Sequence, residues 1–287
     1  MTKPAGLSSI DLRSTPFDLS QTLGCGQVFH WRTHGAGWLG TVGDEPLYAE
    51  QRGARLFVPA GCELLAHRYF ALDHPLEEFG ATFPEDEAMR AARDFCCGLR
   101  IIRQPPWECL ATFITSALKQ VAHIAQISHT LRERFGRRVV WNDVPLYTYP
   151  APERLAALSE SELRACRLGF RAKNLLGAAK MVASGEMDLM RVAALPDAEA
   201  LVELCRLPGV GPKVANCALL FGFERPRAFP IDVWIERVLR RIYFQRKRKV
   251  TARRLREFSA SYFGPFGGYA QQYLFHHARM TQKRGGS

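Results

Sequence analysis

The segment Leu207-Pro208-Gly209-Val210-Gly211-Pro212-Lys213 narrows more than any other what this chain can fold into. Apolar periods of helical spacing flank it, from Asp197 on one side and up to Phe223 on the other, so it reads as a hairpin between two helices. Two glycines around a valine let the backbone turn tightly and bring N–H groups within reach of an anion at the next helix N-terminus. Such a helix-hairpin-helix is a phosphate clamp, fixing a nucleic-acid strand without reading its sequence, with Gly209, Val210 and Gly211 as the contacts. An ordinary glycine-rich inter-helix turn is the alternative.

Pro212 suits the first helical position and puts Lys213 in the first turn, where the positive end of the helix disfavours an ammonium. Partial desolvation there lowers a lysine's pKa and makes the amine a usable nucleophile. On position alone, a phosphate-contacting lysine fits equally well. Downstream, Pro230-Ile231-Asp232 precedes apolar residues at Ile235, Val238, Leu239 and Ile242, which predicts a helix capped by Asp232. A capping carboxylate held by helix N–H groups is expected to stay ionised and can stabilise a cationic sugar while the amine attacks its anomeric carbon. A plain capping aspartate is the alternative.

Short aromatic and β-branched runs separated by turn signals, Gln27 to Arg32, Trp38 to Val42, Leu47 to Gln51 and Leu56 to Val58, predict an antiparallel meander. Helical periods take over after Phe70, first from about Glu85 to Cys97. The spacing then predicts helices over Trp107 to Lys119, Ala122 to Phe135 with Gly136 as a stop, Glu160 to Leu168 closing at Gly169, and Ala172 to Ala183 closing at Gly185. The class is α+β: an antiparallel sheet domain over residues 1–103 and a helical domain over residues 104–287, divided near Arg103-Gln104-Pro105-Pro106.

The net charge of +11 is unevenly placed: residues 225–287 carry 15 Lys/Arg against Asp232, Glu236 and Glu257. That excess suggests a polyanion partner, with Arg246-Lys247-Arg248-Lys249 its densest point, though a short basic run also serves as a solvated loop. The longest apolar stretch, Ala215 to Phe223 and interrupted by Asn216, is too short to span a bilayer. Residues 1–19 mix charges and prolines and lack the apolar core of a signal peptide, so an intracellular, non-membrane and monomeric protein is expected. Eight cysteines without a C-x-x-C pair or clustered spacing predict reduced thiols and no metal or other cofactor.

Lys213-Val214-Ala215-Asn216-Cys217 after the hairpin, followed by Pro230-Ile231-Asp232-Val233, closely resembles the 8-oxoguanine DNA glycosylases of the helix-hairpin-helix superfamily. Cys25-Gly26-Gln27-Val28-Phe29-His30-Trp31-Arg32, Tyr69-Phe70-x-Leu72-Asp73, Arg103-Gln104 through Glu108-Cys109-Leu110, Leu168-Gly169-Phe170-Arg171-Ala172, and Gly268-Tyr269-Ala270-Gln271 through Leu274-Phe275 resemble family segments in the same order. The likeness runs from about Phe17 to Arg279 and implies a sheet similar to that of the TATA-binding protein followed by a helical glycosylase domain. It implies a glycosylase with AP-lyase activity whose partner is double-stranded DNA containing an oxidised purine. Lys213 is then the Schiff-base nucleophile and Asp232 its assisting carboxylate. The resemblance further implies that the Gly26 carbonyl accepts the N7 hydrogen of 8-oxoguanine. Cys217 and Phe275 sandwich the flipped base, and Gln271 addresses its Watson–Crick edge. Phe170 acts as a wedge in the vacated stack, with Arg171 on the orphaned cytosine. Base flipping requires such surfaces, because a stacked base hides its glycosidic bond.

The chain also departs from the family. Phe113-Ile114-Thr115-Ser116 is followed by Ala117-Leu118-Lys119-Gln120 in place of an asparagine run, His123 stands where an arginine often reads the orphaned cytosine, and Trp234 stands where a histidine is common. Leu118 cannot hydrogen-bond a base, so discrimination between cytosine and adenine opposite the lesion is expected to be weakened. Two other readings fit the same sequence: a helix-hairpin-helix glycosylase for a different damaged base, and a non-catalytic damaged-DNA-binding protein that uses only the clamp.

Overall fold

The computed structural model describes residues 6–117, 119–245 and 250–282. The tetrad Arg246 to Lys249 and Leu118, both singled out in the sequence, lie outside the described residues. Five strands form one antiparallel sheet in the order β1-β5-β4-β3-β2: β1 (Leu7–Asp11), β2 (Arg32–His34), β3 (Gly37–Val42), β4 (Glu45–Arg52) and β5 (Arg55–Pro59). The strands β3 to β5 follow the sequence signals. The edge strand β1 does not, because Leu-Ser-Ser-Ile-Asp is largely exposed and holds one β-branched residue and no aromatic.

Residues 27–31 correct the expected first strand. Gln27, Val28, Phe29, His30 and Trp31 are all buried in succession, where a half-buried strand would bury alternate residues. Gln27 holds this segment irregular: its amide donates to the Thr22 and Arg100 carbonyls, each at 2.8 Å, and its oxygen accepts from the Ile102 N–H at 3.0 Å.

Around the sheet lie α1 (Leu19–Gly24), α2 (Glu63–Tyr69), α3 (Leu76–Ala81) and α4 (Glu87–Phe95). Beyond Pro105 come α5 (Pro106–Ser116) and α6 (Val121–Phe135), the latter ending at Gly136. A two-stranded hairpin, β6 (Arg138–Trp141) and β7 (Val144–Tyr147), then interrupts the helices. Its turn residues Asn142 and Asp143 both have positive φ, the geometry that hairpins of this length prefer. This hairpin docks on the five-stranded sheet: Trp141 stacks on Tyr48 at 4.7 Å, and Leu146 joins Leu39 and Tyr48 in a small core.

The chain continues through α7 (Pro152–Ala156), α8 (Glu160–Leu163), α9 (Arg171–Ala183), α10 (Leu189–Ala194) and α11 (Asp197–Leu204). The helix expected over 160–168 breaks after α8 into a π-like turn, Arg164–Leu168, in which Arg167 adopts φ +65°. Last come α12 (Pro212–Gly222), α13 (Val233–Tyr243), α14 (Ala252–Tyr262) and α15 (Gly267–Gln282). The main hydrophobic core gathers Phe113, Leu168, Leu175, Ala215, Phe221, Ile235 and Tyr273 from these helices. Among the described residues no helix is long and apolar enough to cross a membrane.

Two connections bind the halves together. From α15, the Gln272 amide donates to the Cys25 carbonyl at 3.3 Å, the Tyr273 hydroxyl to the Leu99 carbonyl at 3.2 Å, and the Tyr269 hydroxyl accepts from the Ile101 N–H at 3.1 Å. From α6, the buried Arg132 guanidinium donates to Thr41 Oγ1 at 2.9 Å and the Tyr147 carbonyl at 3.2 Å, and pairs with Glu108 of α5. His30 packs on the same carboxylate at 3.3 Å and donates Nε2–H to the Thr41 carbonyl at 2.8 Å.

Candidate active site and nucleic-acid interface

The turn between α11 and α12 forms as its residues dictate. The Val210 N–H donates to the Leu207 carbonyl at 3.1 Å, and Gly209 takes φ +79°, where a Cβ would lie 2.7 Å from Asn174 Nδ2. Only Gly209 needs glycine for its backbone angle. Gly211 has φ −99°, and a Cβ there would meet nothing within 4 Å, so its face is open to an approaching group. Val210 buries its side chain and spends its N–H on Leu207, so it anchors the turn from within.

Pro212 occupies the first position of α12 and Lys213 the next. The Lys213 ammonium lies 5.1 Å from the centre of the Phe113 ring, a cation–π contact that fixes its direction. One turn later Cys217 is buried, and burial pushes its thiol up to about 11 while the neighbouring Lys213 charge opposes the rise.

Asp232 caps α13, accepting the Ile235 N–H at 2.8 Å. Burial raises its pKa above the ordinary carboxylate value, against the Ile235 and Trp234 amides and the Lys213 charge, which lower it. The direction is opposite to that expected from a cap alone, because desolvation outweighs the amides. Asn216, which in the sequence only interrupted an apolar run, holds the two parts in register. Its amide donates to the Pro212 carbonyl at 2.7 Å, and its oxygen accepts the Phe229 N–H at 3.2 Å, tying the segment before Asp232 to the helix that carries Lys213.

Opposite them stands α15. Gln271, Phe275 and Arg279 recur every four residues and so share one face. Gln271 is buried, yet its Oε1 has no hydrogen-bond partner among the described residues. A buried acceptor in that condition is open to a donor from outside the chain. Gly26, at φ +90°, lies against this face: a Cβ would sit 2.6 Å from Arg279 Nη1 and 3.4 Å from Phe275 Cε1. Arg279 donates to the Gly24 carbonyl at 2.5 Å, lies 5.4 Å from the Phe275 ring and interacts with the Asp232 carboxylate through its charge. Sequence reading overlooked Arg279, although its spacing of four from Phe275 and eight from Gln271 was the available signal. Lys213, Asp232 and Cys217 are thus neighbours, Gly26 lies against Phe275 and Arg279, and the Arg279 charge felt by Asp232 links the two groups.

Phe170, Arg171 and His123 form a second group. Phe170 is 56% exposed at the start of α9, a large aromatic surface facing solvent. Arg171 turns inward: Nε donates to the Ala117 carbonyl at 2.6 Å, Nη2 bonds the same oxygen, and Nη1 reaches the Leu168 carbonyl at 3.3 Å. It is buried and lies 4.2 Å from the Phe170 ring, so this conformation does not present it to a base. His123 is exposed and lines a neighbouring cleft.

A sheet domain followed by helices, with a hairpin-led lysine beside a capping aspartate, defines a base-excision repair protein of the helix-hairpin-helix superfamily. Residues 111–261 match the family model described as HhH-GPD superfamily base excision DNA repair protein, and residues 9–110 match that of the 8-oxoguanine DNA glycosylase N-terminal domain. The chain belongs to the 8-oxoguanine DNA glycosylase family. It is 33% identical over 232 residues to a probable N-glycosylase/DNA lyase of Methanothermobacter thermautotrophicus, covering 74% of this chain and 73% of that protein. It is 28% identical over 286 residues to the N-glycosylase/DNA lyase OGG1 of Arabidopsis thaliana, covering 93% and 78% respectively. The structure of the Clostridium acetobutylicum 8-oxoguanine glycosylase/lyase, bound to double-stranded DNA with cytosine opposite 8-oxoguanine, superposes with a TM-score of 0.88 at 28% identity, covering 96% of this chain and 98% of that one.

Proposed function

We propose that this protein is a bifunctional DNA glycosylase and AP lyase that removes 8-oxoguanine from duplex DNA in base-excision repair. The observation that carries the reading is the juxtaposition of Lys213, on the first turn after the hairpin, with the capping carboxylate of Asp232. The hairpin backbone holds a phosphate and so sets the strand's position. The lesion base leaves the stack and enters the space bounded by Cys217, Phe275 and Gln271, where the unpartnered Gln271 oxygen accepts from its edge. The Gly26 carbonyl accepts the N7 hydrogen that guanine lacks.

The Lys213 nitrogen forms a bond to the anomeric carbon while the glycosidic bond breaks, and the departing base takes the bond's electron pair and the proton that the nitrogen sheds. The Asp232 carboxylate stabilises the cationic character of the sugar in that step. Ring opening gives an imine, which acidifies the adjacent C2′ hydrogen. Loss of that proton expels the 3′ phosphate and nicks the strand, and hydrolysis of the imine releases Lys213. Phe170 fills the gap left in the stack. The protein acts as a monomer on double-stranded DNA within the cell.

The test is strand cleavage of duplexes carrying 8-oxoguanine opposite each of the four bases, in excess EDTA. Cleavage at the lesion with the chelator present is expected. No cleavage at 8-oxoguanine in any of the four duplexes, or cleavage dependent on added magnesium, would overturn the assignment.

A further inference from the structure

Beside the wedge loop, Lys119, His123, Gln126, Ile127 and Arg167 line an open cleft of about 230 Å³. Its polar lining consists of two cationic side chains, an imidazole and an amide, with no carboxylate among them. None of these four side chains has a hydrogen-bond or ion-pair partner among the described residues. Arg167 is held at φ +65°, a left-handed conformation uncommon for a non-glycine residue. His123 and Gln126 lie in the first turns of the 15-residue helix α6, whose N-terminal dipole adds to the positive field.

The cleft adjoins the DNA-facing loop on both sides. Arg167 precedes the exposed Phe170 by three residues, and Lys119 follows Ala117, whose carbonyl receives the Arg171 guanidinium. We propose that this cleft is a second phosphate seat, in which Arg167 and Lys119, with the His123 and Gln126 donors, hold a DNA backbone phosphate next to the wedge. The inference rests on the glycosylase reading for its partner. It differs from the orphan-base contact suggested for His123 by resemblance, because an unpaired donor set with two cations matches an anion. A phosphate here would anchor the duplex on the far side of Phe170 from the hairpin clamp.

The test is duplex binding by Arg167→Gly and Lys119→Ala, measured against salt on undamaged DNA and on 8-oxoguanine opposite cytosine or adenine. Glycine suits the left-handed backbone, so Arg167→Gly removes the charge without straining the fold. Each variant should weaken binding on the order of 3- to 10-fold, equally for all three duplexes, and reduce the log–log salt slope by about 1. Arg167→Lys should restore the slope. Unchanged affinity and slope would overturn the proposal. A loss that depends on the opposite base would overturn it in favour of base reading. If the parent excises nothing, the catalytic reading fails while the binding measurements still decide the phosphate seat.

Discussion

At the level of single residues, few side chains set the geometry of the reaction. Asp232 has two separable tasks, capping α13 and carrying charge beside Lys213. Asp232→Asn keeps an acceptor for the Ile235 N–H, so folding stability should change by less than about 1 kcal/mol, whereas Asp232→Ala should cost about 1 kcal/mol. Both should lower single-turnover excision on the order of 100-fold or more. The pH dependence follows from the raised pKa: the parent gains stability from Asp232 below the unfolded aspartate value and loses it as pH rises through the higher folded value. The stability of Asp232→Asn relative to the parent should therefore increase across that acidic window and then level off, as read by denaturant titration at several pH values. A difference that falls with rising pH would contradict the burial seen here. Asn216 acts through its neighbours as a positioning residue. Asn216→Ala should lower the excision rate severalfold with lesion affinity nearly unchanged, and Asn216→Asp, which keeps the acceptor for Phe229 N–H, should recover part of it. Equal losses in affinity and rate would assign Asn216 a merely structural role.

At the scale of elements, what was legible depended on how local the signal was. The hairpin, the proline-led start of α12 and the Asp232 cap are set by residues within a few positions of one another, and each appears where the sequence placed it. The strand expected over 27–32 did not form, because Gln27 spends its amide on the Thr22, Arg100 and Ile102 backbones, two of them some 75 residues away. No window of sequence contains that preference. The β6–β7 hairpin could have been read from Asn142-Asp143 between Val-Trp and Val-Pro-Leu-Tyr, a turn signal of the ordinary kind. Candidate roles for Lys213, Asp232 and the hairpin followed from position, and the remaining roles only from resemblance. The unpartnered Gln271 oxygen and the clash of a Gly26 Cβ with Arg279 are independent physical reasons to look at those positions. Arg171 carries the opposite lesson: its inward pairing with Ala117 means that any contact with an orphaned base requires a change of rotamer.

For the whole molecule, the site exists only because the last helix returns to the first loop, and the sheet is held to the helices by a buried ionic group. Arg132, Glu108, His30 and Thr41 join α6, α5 and the sheet at one point. Burial raises the Glu108 pKa despite the adjacent Arg132, and holds His30 well below its usual value, so the imidazole is neutral. Removing one partner strands the other, so Arg132→Ala should destabilise the protein by about 3 to 5 kcal/mol in denaturant unfolding, while Arg132→Met with Glu108→Gln should lose less. A single variant within about 1 kcal/mol of the parent would show that the junction does not depend on this pair. A covalent imine on Lys213 is captured by borohydride trapping on a duplex with 8-oxoguanine opposite cytosine. The parent should give a protein–DNA adduct that maps to Lys213, and Lys213→Gln should bind the same duplex yet give no adduct and no free base. Substantial trapping by Lys213→Gln, or excision by the parent without any trapped adduct, would contradict the account.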